Sequence, residues 1–225
     1  MTDDPTIATL LDAGVLAETD EGDTFTFDEG FLDSVEERTD RVAAGEWRDA
    51  FAANVTRGAT HRDAFAAVAD RTPELLGTYW ALDDVLDEVS SDELLQLLVV
   101  VDRFRYPPAE TGGTPEGFLA VRGDRLPALV AFVRHGVVYT WREDCDPCDV
   151  MAEQFAALDD DLMERAVCLS VYGPSWAREL DDAFGVAGAP TTLFVANGRV
   201  DARLVGAYEA DLVATELQTT ARTVE

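Results

Sequence analysis

Apolar residues recur at three- and four-residue steps through much of the first hundred positions, the spacing that gathers them on one face of a helix. From Thr39 to Phe104 the pattern is helical almost throughout. Trp47, Phe51, Ala52 and Val55 make one stripe; Leu75, Leu76, Tyr79, Leu82, Val85 and Leu86 make another. Start signals divide the helices: Thr60 before His61-Arg-Asp-Ala, Thr72-Pro73-Glu before Leu75, and Ser90-Ser91-Asp-Glu before Leu94. Such residues accept the backbone N–H groups that a helix start leaves without partners. Ahead of this run the pattern predicts a short helix at about Thr6–Ala13. A hairpin follows, Val15–Glu18 with Thr24–Asp28, turned by Asp20-Glu-Gly-Asp23. Residues 1–105 therefore read as a mostly α-helical domain with a small hairpin near 15–28.

Tyr106-Pro-Pro-Ala-Glu-Thr-Gly-Gly-Thr-Pro115 interrupts the periodicity, because prolines break helices and glycines loosen the backbone. Residues 106–116 are read as a linker. Beyond it, over 117–225, strands and helices alternate. Phe118–Arg122 is the first expected strand. Asp124 is placed as the cap of a helix over Arg125–Arg134, with a strand through Leu129-Val-Ala-Phe-Val as the alternative. Val137–Arg142 is a buried-strand run, followed by a helix from about Pro147 to Leu158 and a strand at Ala166–Val171. A helix over Ser175–Phe184 ends at Gly185. Thr191–Ala196 and Val200–Val205 form a hairpin around Asn197-Gly198, and Tyr208–Arg222 is the last helix. Parallel strands joined by helices and finished by a hairpin make an α/β sandwich.

Charge changes the picture of the surface. The 225 residues hold 45 acidic and 17 basic side chains, a net −28, and all 17 basic residues are Arg. Such a surface repels itself in dilute buffer, whereas at molar salt the screening length falls to about 3 Å. The acids are spread along the whole chain, which fits adaptation to a salt-rich cytoplasm better than one surface for a basic partner. No basic stripe exists to neutralise phosphates, so nucleic acid is not expected as a partner. The densest apolar run, Leu94–Val101, is too short to span a membrane. The amino terminus lacks a basic region followed by an apolar segment, and the expected location is cytoplasmic.

Of three cysteines, Cys145 and Cys148 form a Cys-x-x-Cys pair where a strand hands over to a helix, and Cys168 lies alone in an apolar run. The thiolate is the form that attacks a disulfide, and unpartnered N–H groups at a helix start stabilise it. A second cysteine three residues on is close enough to attack the mixed disulfide and release the product. Zinc is the competing reading of such a pair. A closed zinc site needs four ligands, however, and the chain has no second cysteine pair, while His61 and His135 stand alone. No metal is expected.

Three marks in order make residues from about Phe118 to Arg222 resemble the thioredoxin family. They are Trp141 four residues before the first cysteine, Cys145-Asp-Pro-Cys148, and Val186-Ala-Gly-Ala-Pro190-Thr-Thr-Leu-Phe. The last is similar to the family's cis-proline loop, and Asn197-Gly198 through Gly206 continues the match. The resemblance implies a thioredoxin-like fold, a mixed sheet flanked by helices. It also implies Cys145 as nucleophile, Cys148 as resolving thiol, and a substrate-binding set of Trp141, Ala189 and Pro190. The implied activity is thiol–disulfide exchange on protein disulfides, with no organic cofactor beyond the redox-active Cys145–Cys148 pair and with an unidentified reductase as second partner. The alternative is a redox-sensing or partner-binding module with little turnover.

Four positions depart from the family's pattern. Tyr139 stands where a buried aspartate is common, Asp144 replaces the tryptophan before the first cysteine, Asp146 replaces a glycine, and Asp149 replaces a basic residue. With Glu143, the last three put four acids around the pair, and nearby negative charge disfavours a thiolate. Cys145 is therefore expected to react mainly at high ionic strength, and exchange is expected to be slower than in typical thioredoxins. Cys168 reads as a small buried hydrophobe. In the first half, Leu10-Leu-Asp-Ala-Gly-Val-Leu-Ala with the hairpin resembles the end of a winged-helix module, yet no three-helix unit precedes it.

Overall fold

Two helices of the first half begin where side chains meet the unpaired N–H groups of the first turn, at Asp28 and at Ser90, whereas Thr72 makes no such bond and Pro73 opens its helix. The computed structural model describes residues 5–19, 24–50, 66–86 and 89–224, and the chain divides into two compact units, Met1–Val101 and Asp102–Glu225. In the first unit α1 (Pro5–Asp12) leads into the antiparallel pair β1 (Leu16–Glu18) and β2 (Phe25–Phe27). Helices α2 (Glu29–Ala43) and α3 (Trp47–Ala50) follow; α4 is described over 66–71, and α5 (Pro73–Val85) and α6 (Ser91–Arg105) complete the set. The expected turn at Asp20–Asp23, the start at Thr60–His61, and Phe51, Ala52 and Val55 lie outside the described residues.

Helix α2 begins ten residues before the expected helical stretch. Asp28 caps it by accepting the Phe31 N–H at 3.2 Å, a signal present in the sequence but masked by the acid-rich run that follows. The expected start at Ser90 is a reciprocal box: the Ser90 N–H donates to Glu93 Oε2 (2.8 Å) and the Glu93 N–H to Ser90 Oγ (3.3 Å). Those bonds hold the Glu93 carboxyl below its usual range. Helices α2 and α5 pack together. The guanidinium groups of Arg38 and Arg41 lie over the buried Trp80 ring, at 5.4 and 4.4 Å from its centroid.

The second unit holds a five-stranded sheet in the order β3-β5-β4-β6-β7. Its strands are β3 (Leu119–Ala120), β4 (His135–Trp141), β5 (Val167–Tyr172), β6 (Thr191–Ala196) and β7 (Arg199–Val205). β3 and β4 run parallel to β5, while β6 is antiparallel to both β4 and β7. The first strand keeps only two of its five expected residues. Arg125–Arg134 resolves to helix α7 (Leu126–Phe132), with Arg125 at its cap position; Asp124 instead pairs with Arg122 at 2.7 Å. The remaining helices are α8 (Asp146–Ala156), α9 (Asp160–Glu164), α10 (Ala177–Phe184) after a short 3-10 turn at Pro174–Trp176, and α11 (Ala210–Val224). The five residues of α9 carry no apolar stripe long enough to read in advance.

Residues 106–116, read from the sequence as a linker, pack on this second unit. The Arg125 guanidinium lies 4.3 Å from the Tyr106 ring centroid, and Thr114 Oγ1 is 3.3 Å from Ser170 Oγ. Gly113 sits so close to the Trp141 ring that a Cβ there would overlap its carbons.

Alternation along β4 sets the two faces of the sheet. Val137, Tyr139 and Trp141 point into one cluster with Phe118, Met151, Phe155, Phe194, Val213 and Leu217, under α8 and α11. Val138 and Thr140 point to the other face. The cysteine pair belongs to the first cluster, so the site is rooted in the core of this unit.

Candidate active site

Cys145 is the N-cap of α8: its backbone is extended (φ −136°, ψ 86°), and the helix begins at the next residue, with Pro147 in the first turn. Proline is tolerated there because its missing N–H has no partner to lose. The Cys148 N–H is shared between the Cys145 carbonyl oxygen at 2.8 Å and Cys145 Sγ at 3.2 Å. Cys145 and Cys148 are joined in a disulfide with Cα atoms 5.2 Å apart, and both residues are buried.

The loop before β6 forms the other side. The Ala189–Pro190 peptide is cis, and the Ala189 carbonyl oxygen stands 4.0 Å from Cys145 Sγ. Two hydrogen bonds hold the loop: Thr191 Oγ1 donates to the Gly188 carbonyl (2.7 Å), and the Gly206 N–H donates to the Pro190 carbonyl (2.9 Å). Four of the five site residues expected from sequence, Cys145, Cys148, Ala189 and Pro190, thus come from α8 and this loop. Cys145 and Ala189 meet across 44 positions of chain.

Trp141, expected at the substrate face, is instead only 3% exposed. Gly113 covers one part of its ring, and Tyr172 packs 4.9 Å from it, centroid to centroid. It borders a cavity of about 430 Å³ with Gly112, Gly113, Cys148, Asp149 and Ala152. Its place is behind the pair, and its Nε1 has no hydrogen-bond partner among the described residues.

Tyr139 is fully buried, and its hydroxyl donates to the Cys148 carbonyl at 2.8 Å. Phe118 and Phe155 pack against its ring. Burial, aided by the charge of Asp149, raises the phenol well above its ordinary range. The group is a fixed donor to the first turn of α8. The sequence marks this position as unusual but gives no sign of the hydroxyl's target, which depends on how α8 lies on β4.

Glu143, Asp144, Asp146 and Asp149 are all exposed around the pair. Their field is felt nearby: besides burial, the charges of Glu143, Glu110 and Asp144 push the Tyr172 hydroxyl upward. The same field opposes a thiolate at Cys145. Cys168 is buried, and burial pushes its thiol up to about 12. His135 starts β4, at the end of the strand away from Trp141, and its ring nitrogens lie 3.1 and 3.0 Å from the carbonyls of Arg165 and Leu217. His61 lies outside the described residues. Among the described residues no three His, Cys, Asp or Glu side chains are grouped to hold a metal ion, and no helix is long and apolar enough to cross a membrane.

No family model matches the chain, and no curated protein sequence matches it. Solved structures with a similar fold include thioredoxin f from spinach chloroplast, at 20% identity over 46% of this chain and 93% of that one, with a TM-score of 0.39. Chlamydomonas reinhardtii thioredoxin f2 is 20% identical over 45% and 95% (TM-score 0.40), and a chloroplastic thioredoxin z is 15% identical over 47% and 95% (TM-score 0.40). The sheet itself settles the fold: parallel β3-β5-β4 continued by antiparallel β6-β7, with helices around it and a cysteine pair opening the helix after β4, make Asp102–Glu225 a thioredoxin-like domain.

Proposed function

We propose that this chain is a thiol–disulfide oxidoreductase that reduces or exchanges protein disulfides through Cys145 and Cys148. One observation carries the reading: Cys145 Sγ is bonded to Cys148 and also faces the Cys148 N–H at the start of α8, 3.2 Å away. In the reduced protein that N–H stabilises a thiolate on Cys145. The thiolate attacks one sulfur of a substrate disulfide; that S–S bond breaks and the other substrate sulfur leaves as a thiolate. Cys148, once deprotonated, attacks Cys145 Sγ, which expels the second substrate thiolate and re-forms the Cys145–Cys148 bond. Two electrons pass from the dithiol to the substrate, and an external dithiol or reductase must return them.

Among the described residues the carboxylates that border the Cys148 cavity, Glu143, Asp144 and Asp149, are all exposed, so none is a buried acceptor for the Cys148 proton. Tyr139 keeps its own proton, which it donates to the Cys148 carbonyl, so it offers no base to take up another. The cavity bordered by Cys148, Glu143 and Asp149 offers the exit to solvent. Exchange is accordingly slower than in a site with an internal base.

The test is reduction of insulin disulfides with dithiothreitol as electron donor, at low and at molar salt. The wild-type chain is expected to turn over, and Cys145→Ser to be inactive. Cys148→Ser is expected to accumulate mixed disulfides on Cys145. A wild-type chain that consumes one equivalent of disulfide and stops would refute the reading.

A further inference from the structure

A groove of about 670 Å³ opens beside the cysteine pair, between the end of β4, the residues leading into α10, and the loop before β6. Buried Leu180 and Val186 form an apolar floor, with Pro174 and Ala177 beside them. The opposite wall is Ala187–Ala189, whose last carbonyl stands 4.0 Å from Cys145 Sγ. The groove therefore ends at a residue that adjoins the reacting sulfur.

Two polar groups in its lining are unspent. Thr140 is 1% exposed, and its hydroxyl has no hydrogen-bond partner among the described residues. Arg142 is exposed, and among the described residues no carboxylate lies within 4.0 Å of its guanidinium. Arg142 also borders the 430 Å³ cavity that Cys148 lines, and it is the one basic residue in the lining of either. The acids divide unequally between the two. Glu143, Asp144 and Asp149 line the cavity, whereas Asp181 alone lines the groove.

We infer that the groove selects disulfides whose flanking chain carries a carboxylate, with Arg142 as the residue that reads it. The inference rests on Cys145 being the nucleophile. A chain lying across Cys145 with one flank in the groove meets Arg142 against a single acid, Asp181, while its other flank meets the same Arg142 among three acids. A carboxylate is therefore better accommodated on the groove side than on the cavity side. Charge preference thus depends on which side of the target cysteine the carboxylate stands. Without Arg142 the surroundings of the pair are uniformly acidic and would favour cationic substrates alone.

The experiment compares reduction rates, in the full chain, of three disulfide-linked peptides. One has Glu two residues before its cysteine, one has Glu two residues after it, and the reference has Gln at both places. In one placement Glu is expected to exceed Gln by about threefold in kcat/KM, the scale of one exposed ion pair, and the gain is expected to shrink at 1 M salt. Arg142→Gln removes the gain, and Arg142→Glu transfers it to a Lys peptide of the same placement, an inversion that loss of fold cannot produce. Equal or lower rates for Glu in both placements, with the reference still reduced, would overturn the charge selection and leave the oxidoreductase reading standing. Failure to reduce any peptide would overturn both.

Discussion

Tyr139 separates structure from proton chemistry at a single side chain. Its hydroxyl bonds a buried backbone carbonyl, and its phenol holds its proton far into the alkaline range. Tyr139→Phe removes that donor and leaves the Cys148 carbonyl short of a partner, which costs about 1 kcal/mol of stability. Urea unfolding of the oxidised protein measures this. The pH midpoint of the reduction rate is expected to stay in place, because no proton acceptor has been lost; a displaced midpoint would make the phenol part of the proton path. Cys168 gives a second prediction at this scale. Its thiol titrates at about 12 in the fold and near 8.5 when unfolded. With the folded value raised, stability is whole below the unfolded value and is lost as pH rises toward the folded one. The chain has no Lys, and in the oxidised protein Cys168 is the one thiol. Between pH 9 and 10 Cys168 should contribute a fall of up to ~1.4 kcal/mol, the linkage of one proton per pH unit. The raised phenols of Tyr139 and Tyr172 add to it as the unfolded chain begins to lose their protons. Cys168→Ala is expected to remove the thiol's share of that slope, and an unchanged slope would show the thiol to be uninvolved.

At the scale of elements, what was legible followed the local chemistry. The β6–β7 hairpin was readable because Asn197-Gly198 suits a turn with positive φ at both positions, and the angles are 50° and 78°. This turn is also tied into the unit: the Asn197 and Gly198 N–H groups donate to the carbonyls of Arg134 and Val133, both at 2.7 Å. A Cβ on Gly198 would stand 2.6 Å from the Ala131 carbonyl oxygen. Gly198→Ala therefore combines left-handed strain with a backbone clash and should cost about 1–3 kcal/mol, read as a lowered urea midpoint. A loss below a few tenths of a kcal/mol would mean that the turn gives way freely. The start of α6 at Ser90 and the handover from β4 to α8 were legible for the same reason, since capping residues mark them directly. The first ten residues of α2 were not, because the stripe that begins with Phe31 and Val35 is sparse and set among charged residues. A core place for Trp141 was as open to the sequence as a place at the site, but what covers its ring was not. Its cover is Gly113, a residue that the sequence shows only as part of a Gly-Pro-rich break.

Across the whole molecule, net charge and site chemistry meet in one quantity, the thiolate fraction of Cys145. The chain carries −28, and four of its acids ring the pair. Opposing them is one backbone N–H held 3.2 Å from the sulfur. The two influences respond differently to salt. Charges acting through solvent are screened as the Debye length falls from about 10 Å at 0.1 M to 3 Å at 1 M, whereas the hydrogen bond at the helix start is too short-ranged to be screened. The balance therefore moves toward the thiolate as salt rises. Alkylation tracks the thiolate fraction, so labelling of Cys145 is expected to quicken as salt rises from 0.1 M to 1 M. The measurement is iodoacetamide labelling of the reduced chain, mapped to Cys145 by mass spectrometry, with circular dichroism confirming that the fold is constant over the salt range. Iodoacetamide is uncharged, so the salt effect belongs to the protein. The double variant Asp146→Asn, Asp149→Asn should react faster at 0.1 M and lose part of its response to salt. If labelling of the wild-type chain were indifferent to salt, the acids around the pair would be surface charge without influence on the sulfur.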